Sequence, residues 1–144
     1  SMDKALNYLA LARKGGMAEL GEEPVGGAAR AGKAYVILVA SDASDHTWRR
    51  AKSFAAGTEQ QCIRLPYTKD ELGQTIGRDA LAMGAVTDVS LALALVKALP
   101  EQEKYKDALE VLERKSQKAK KRQAEAKAHA RNVRTGKKKH EIKK

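Results

Sequence analysis

The stretch Gly27-Ala28-Ala29-Arg30-Ala31-Gly32-Lys33-Ala34 fits G-x-x-x-x-G-K-[ST] at every position except the last. In a phosphate loop the backbone N–H groups of such a run cradle phosphates, the lysine reaches the outer ones and the final hydroxyl holds magnesium. Ala34 has no hydroxyl. A phosphate loop also follows a strand and opens a helix. Here the glycines fall within or at the end of a helical pattern, and the apolar strand comes after them. Asp42 is the only acid near a strand end that resembles the partner such a site needs. The NTPase reading therefore gives way to two others for Gly26 and Gly27. Small residues let a helix approach its neighbour closely, or a helix tip presents free N–H groups to an anion.

A second grouping is His46 with Ser41, Asp42 and Ser44, where the imidazole could act as a base. Asp45 and His46 stand at a helix start, where capping is the ordinary role of such residues. His129 and His140 have no Cys or carboxylate partners at metal spacing. The single cysteine, Cys62, can form neither an internal disulfide nor a CxxC site, and its apolar neighbours predict a buried core thiol. No catalytic residue, metal ligand or cofactor is assigned.

The third grouping is cationic. Residues 114–144 carry 14 Lys and Arg against 2 acids, whereas residues 1–113 carry 14 against 16. The formal net charge of +10 thus comes entirely from the tail. A near-neutral domain with a basic arm points to a polyanion partner; the competing reading is a merely solvated tail. Lys115, Lys118, Lys120, Lys121, Arg122, Lys127, Arg131 and Arg134 recur on several faces of a helical pattern. They offer phosphate contacts that give affinity with little specificity.

The elements that position these groups follow from periodicity. DKALNYLALARK at 3–14 reads as an amphipathic helix stopped by Gly15-Gly16. Residues 17–20 suggest an edge strand. A helix starts after Gly21, with Glu22 and Glu23 at its positive end and Pro24 in its first turn, and ends at Gly32. YVILVA at 35–40 is a strand buried on both faces. Ser44 or Asp45 caps a helix to about Ala56, and CIRL at 62–65 is a further strand. Thr68 and Glu71 form a capping box, and Gly77 ends that turn. LAMGAVT at 81–87 is the next strand. Asp88 caps a helix over 89–99, which Pro100 stops. Trp48, beside Arg49 and Arg50, is expected to pack on the domain rather than stack on a base, and Tyr35 and Tyr67 are expected to be structural.

This order predicts a three-layer α/β/α sandwich with a small mixed sheet over residues 3–99. Residues 100–144 form a basic C-terminal helix and tail. Tyr105, Ala108, Leu109 and Leu112 can dock its start. Beyond Leu112 the apolar positions are nearly all alanine, which favours helix but buries little, and the closing GKKKHEIKK is expected to be disordered when free. Apolar runs are too short for a membrane span. The start lacks a signal-peptide pattern, and Ser1 before Met2 reads as a cloning remnant. The setting expected is the cytoplasm.

Five segments together resemble a known family: LNYLALARKGG at 6–16, Gly21-Glu22-Glu23, ARAGKAYVILVASDAS at 29–44, TKDELGQTIGR at 68–78 and AVTD at 85–88. They resemble the L-seven-Ae/L-thirty-e superfamily of ribosomal, kink-turn RNA-binding proteins, nearest its small bacterial YlxQ-type members. The resemblance covers about residues 3–99 and leaves the tail unaccounted for. It implies a sandwich that binds structured RNA, ribosomal or kink-turn-like, with the ribosome as a partner and no catalytic role. It places RNA contacts at Gly21, Glu22 and Glu23 on a helix tip and at Arg78, Asp79, Ala80 and Leu81 in a loop, with Arg13 and Lys14 expected near the same edge. Lys118, Lys120, Lys121, Arg122, Arg131 and Arg134 would add phosphate contacts. The family's strongest kink-turn binders read G-x-N-E-x-x-K at the tip; here Glu23, Pro24 and Gly27 replace the asparagine, glutamate and lysine. Ionised Glu23 can only accept hydrogen bonds, and loss of the lysine removes one cation.

Overall fold

A computed structural model describes residues 3–143, with side chains through Thr135. Ser1 and the side chains of GKKKHEIKK, with the expectations attached to them, lie outside the described residues. Five helices and four strands alternate, in the order helix α1 (Lys4–Lys14), strand β1 (Ala18–Leu20), α2 (Glu22–Arg30), β2 (Val36–Val39), α3 (Asp45–Ala55), β3 (Gln61–Arg64), α4 (Lys69–Thr75), β4 (Met83–Val86) and α5 (Val89–Lys97). A 3-10 turn over Gln102–Tyr105 leads into α6 (Lys106–Lys143).

The strands form one sheet in the order β1-β4-β2-β3. β4 runs antiparallel to both β1 and β2, whereas β2 and β3 are parallel. All four residues of β2 are buried, as are all four of β4. Helices therefore cover both faces, which is why these strands read as unbroken apolar runs. α2 and α3 pack on one side, and α1, α4 and α5 on the other. The layering is the predicted α/β/α sandwich with a mixed sheet.

Local chemistry sets the helix ends. Asp3 accepts from the Ala5 N–H and Ser44 from the Thr47 N–H, while Asp88 accepts from the Leu91 N–H. Each satisfies one of the orphan donors of a first turn. Thr68 and Glu71 make a reciprocal capping box. After β4 the core continues through Tyr105, Ala108 and Leu112, which are 6%, 5% and 0% exposed, and Ser116 is buried too. Leu109 packs against them half-buried. From Lys120 to Thr135 every α6 residue is exposed.

Cys62 departs from expectation: it is half-buried rather than enclosed. β3 is an edge strand, paired on one side only, with β2. Desolvation still pushes its thiol up to about 11.

Candidate nucleic-acid interface

Register places the loops at two ends of the sheet. β1, β2 and β3 all finish where β4 begins, so Gly21, residues 40–44, residues 65–68 and residues 77–82 share one edge. Short bonds tie this edge together. The Gly21 N–H donates to the Met83 carbonyl (2.8 Å), Ala40 N–H to Ala82 (3.0 Å) and Ser41 N–H to Tyr67 (2.8 Å). Asp42 accepts from the Lys69 N–H at 2.8 Å, so it anchors the start of α4.

Gly21 has φ +100°, a conformation that side chains resist, and it serves as N-cap with no side-chain bond. The Val25 N–H closes back on its carbonyl. The first-turn N–H groups of α2 are therefore not taken by a capping side chain, and Glu22 and Glu23 stand exposed beside them.

The loop at 78–81 is held by Gly73. A Cβ at that position would lie 2.6 Å from the Ala80 Cα and 2.8 Å from the Arg78 carbonyl. With no side chain there, the loop lies directly on α4. The Arg78 N–H then reaches the Gly73 carbonyl (2.8 Å) and the Leu81 N–H the Lys69 carbonyl (2.9 Å). Arg78, Asp79 and Ala80 are exposed, while Leu81 turns inward at 5% exposure. Leu81 thus supports the loop from beneath.

Gly26 and Gly27, one reading apart in sequence, differ in role. A Cβ on Gly26 would meet the Phe54 ring at 3.0 Å, so this glycine lets α2 close on α3. Gly27 faces open space. Both lie inside α2, and Gly32-Lys33 lead into β2, so residues 27–34 do not form the strand-loop-helix cradle of a phosphate loop.

Four charged side chains outside the motifs shape the surroundings. Arg50 pairs with Glu22 (3.3 Å) and lies over Phe54 (5.0 Å), offsetting part of the negative charge at the tip. Arg64 and Lys52 lie 4.9 and 5.2 Å from the Trp48 ring centre. The indole is half-buried and engaged by cations, in keeping with a packing role. Glu59 pairs with Arg114 and, at 3.5 Å, with Lys115. Bonding to Arg114 holds the Glu59 carboxyl below its usual range, with the nearby Lys115 adding to it. The Arg50–Glu22, Arg64–Trp48 and Glu59–Arg114 pairs join residues far apart in sequence, whereas Arg50–Phe54 and Lys52–Trp48 are one helical turn apart.

Arg13 and Lys14 are not at the edge with Gly21. Met17, three residues after Lys14, accepts from the Thr87 N–H at 2.9 Å, past the far end of β4. The basic last turn of α1 therefore lies a strand's length away. The correction follows from direction: α1 enters β1 at the end that β1 leaves behind before reaching Gly21. His46 is exposed at the start of α3. Among the described residues no group of three or more His, Cys, Asp or Glu is placed to hold a metal ion, and no helix is long and apolar enough to cross a membrane.

No protein-family model matches the chain. The RNA-binding protein YlxQ of Enterococcus faecium is 34% identical over 83 residues, 58% of this chain and 80% of that protein. A solved structure of a protein of unknown function from Bacillus halodurans superposes with TM-score 0.64 at 24% identity, covering 69% of this chain and 100% of that one. A Giardia lamblia 15.5kD RNA binding protein superposes with TM-score 0.57 at 14% identity, covering 69% and 85%. These two likenesses concern the fold. On the identity and coverage shared with its Enterococcus relative, the chain belongs to the YlxQ family.

Proposed function

We propose that this chain is a non-catalytic RNA-binding protein that recognises a structured RNA, kink-turn-like or ribosomal, in a cytoplasmic, ribosome-associated setting. The observation that carries the reading is the convergence of the α2 tip and the 78–81 loop on one exposed edge, bound together through the Gly21–Met83 hydrogen bond. Beside Gly21, the residues Glu22 and Glu23 offer backbone donors and carboxylate acceptors for base edges, and Arg78 offers a phosphate contact. Lys118, Lys120, Lys121, Arg122, Arg131 and Arg134 on α6 add sequence-independent attraction. Family membership and the relative's designation as an RNA-binding protein support the assignment. Filter-binding titrations against kink-turn, duplex and single-stranded RNA at several salt concentrations test it. Binding that weakens steeply with salt, strongest for the structured RNA, is expected; an undetectable response at low salt removes the proposal.

One observation favours a second reading, a protein-interaction module that keeps the fold. The edge carries Glu22, Glu23, Asp42, Asp45 and Asp79, and carboxylates repel phosphates. A partner that survives nuclease treatment in a pull-down favours this alternative.

A further inference from the structure

α6 runs antiparallel to β3. The Tyr105 hydroxyl, just before the helix, donates to the Arg64 carbonyl (3.3 Å) at the edge end of that strand. Arg114 and Lys115 pair with Glu59, which precedes the strand's other end. The helix therefore leaves the domain at the end of the sheet opposite Gly21 and the 78–81 loop. Arg13 and Lys14, in the last turn of α1, lie at this same far end. Lys33 joins them: it and Gly16 line one surface groove beside Thr87. Arg13, Lys14 and Lys33 are all exposed.

Beyond the domain four of the α6 cations share one face, while Lys118, Lys121 and Arg122 lie on others. Lys120, Lys127, Arg131 and Arg134 follow one another at helical spacings of seven, four and three, which puts them within about 60° on one face. The stripe runs about 21 Å along the helix. All four are exposed, and none makes an ion pair among the described residues. A linear row of cations matches the regular phosphates of a nucleic-acid backbone, whereas solubility alone needs no row.

We propose that the far-end cations and the α6 stripe form a second RNA surface, one that grips the phosphate backbone of a duplex segment separate from the RNA held at the edge. The inference rests on the RNA-binding reading above and deepens it: the protein joins two RNA segments. The strand between the two ends spans about 13 Å, and Arg131 lies about 24 Å farther out than Lys115 along the helix. The two surfaces therefore lie at opposite ends of the sheet.

The test uses the full chain with two labelled RNAs, a plain duplex of about 20 base pairs and a kink-turn stem-loop. The helix variant is Lys120→Gln, Lys127→Gln, Arg131→Gln and Arg134→Gln, and the edge variant is Arg78→Glu. All five positions are exposed, so neither variant threatens the core. The helix variant is expected to weaken duplex binding roughly tenfold or more at low salt and to reduce the salt slope by about 3. The edge variant is expected to leave duplex binding within about twofold and to weaken the stem-loop. Both RNAs together should give a ternary complex on one protein. Mutual displacement of the two RNAs, or equal losses in both variants, overturns the proposal in favour of a single surface. Displacement of the duplex by polyglutamate at equal charge overturns it in favour of an acidic protein partner. Duplex binding that persists without any stem-loop binding sinks the edge reading and leaves the second surface standing.

Discussion

The two halves of α6 share one helix and follow opposite rules. From Lys106 to about Ala119 the helix is held by burial: Ala108, Leu112 and Ser116 face α5 and β3, and Glu59 clamps Arg114 and Lys115. From Lys120 to Thr135 nothing covers it. There it relies on the high helix propensity of Ala, Lys, Arg, Gln and Glu. Isolated helices of this kind are marginal in water. Lys118 with Arg122 and Lys127 with Arg131 are like charges four apart, which weakens the helix further. The first half thus belongs to the core by packing, whereas the second is a display element whose stability depends on what neutralises it.

The sharpest way to break this contrast is Leu112→Ala. Leu112 is fully buried, so the cavity should cost about 2–5 kcal/mol, read by denaturant unfolding of the whole domain. The same truncating logic applied to the outer half, Val133→Ala at a side chain 51% exposed, should leave unfolding unchanged. If both variants behave alike, the division within α6 is wrong. It also follows that a shortened chain should end after Ala119, because a cut at residue 114 would remove Ser116 and the Glu59 clamp.

Gly73→Ala applies the same contrast to the edge. The added methyl would strike backbone atoms of the 78–81 loop, at a cost of about 1–3 kcal/mol, and should disturb stem-loop binding more than duplex binding. The third prediction concerns the outer half alone. Polyanion should relieve its like-charge repulsion, so circular dichroism should show helicity rising on addition of duplex RNA and falling back at high salt. The smallest effect is acid loosening of the clamp. The Glu59 carboxyl is held below its ordinary value of 4.5, so its contribution is complete above that value and fades as pH falls through the lowered one. Glu59→Gln should lower the thermal unfolding temperature slightly at neutral pH, as an exposed ion pair contributes little, and the two proteins should converge as pH falls through the lowered value.

Much of this was legible in the chain. The caps at Ser44, Thr68 and Asp88, the unbroken apolar strand at 36–39 and the stop at Gly15 each depend on neighbours in sequence, and each was found where local chemistry puts it. The docking of Tyr105, Ala108 and Leu112 was visible as the last large apolar spacing. What escaped was direction. No local pattern tells that α1 ends at the far end of the sheet, or that α6 returns antiparallel to β3, because both depend on strand order. Arg13 and Lys14 were therefore grouped with the wrong loop. The difference between Gly26 and Gly27 was equally hidden, since it depends on Phe54, brought in by α3. The half-burial of Cys62 reflects an edge strand whose position only pairing reveals.

The exit direction of α6 has an electrostatic consequence for the free protein. A polycation on a floppy tether, joined to a domain bearing Glu22, Glu23, Asp42, Asp45 and Asp79 on one rim, would fold back and quench itself on those carboxylates. Docking of the first half of α6, with the Glu59 pairs, instead starts the cationic half at the opposite end of the domain, at separations where physiological salt screens the attraction. The molecule is in effect a dipole that does not short-circuit, with its adhesive pole always available.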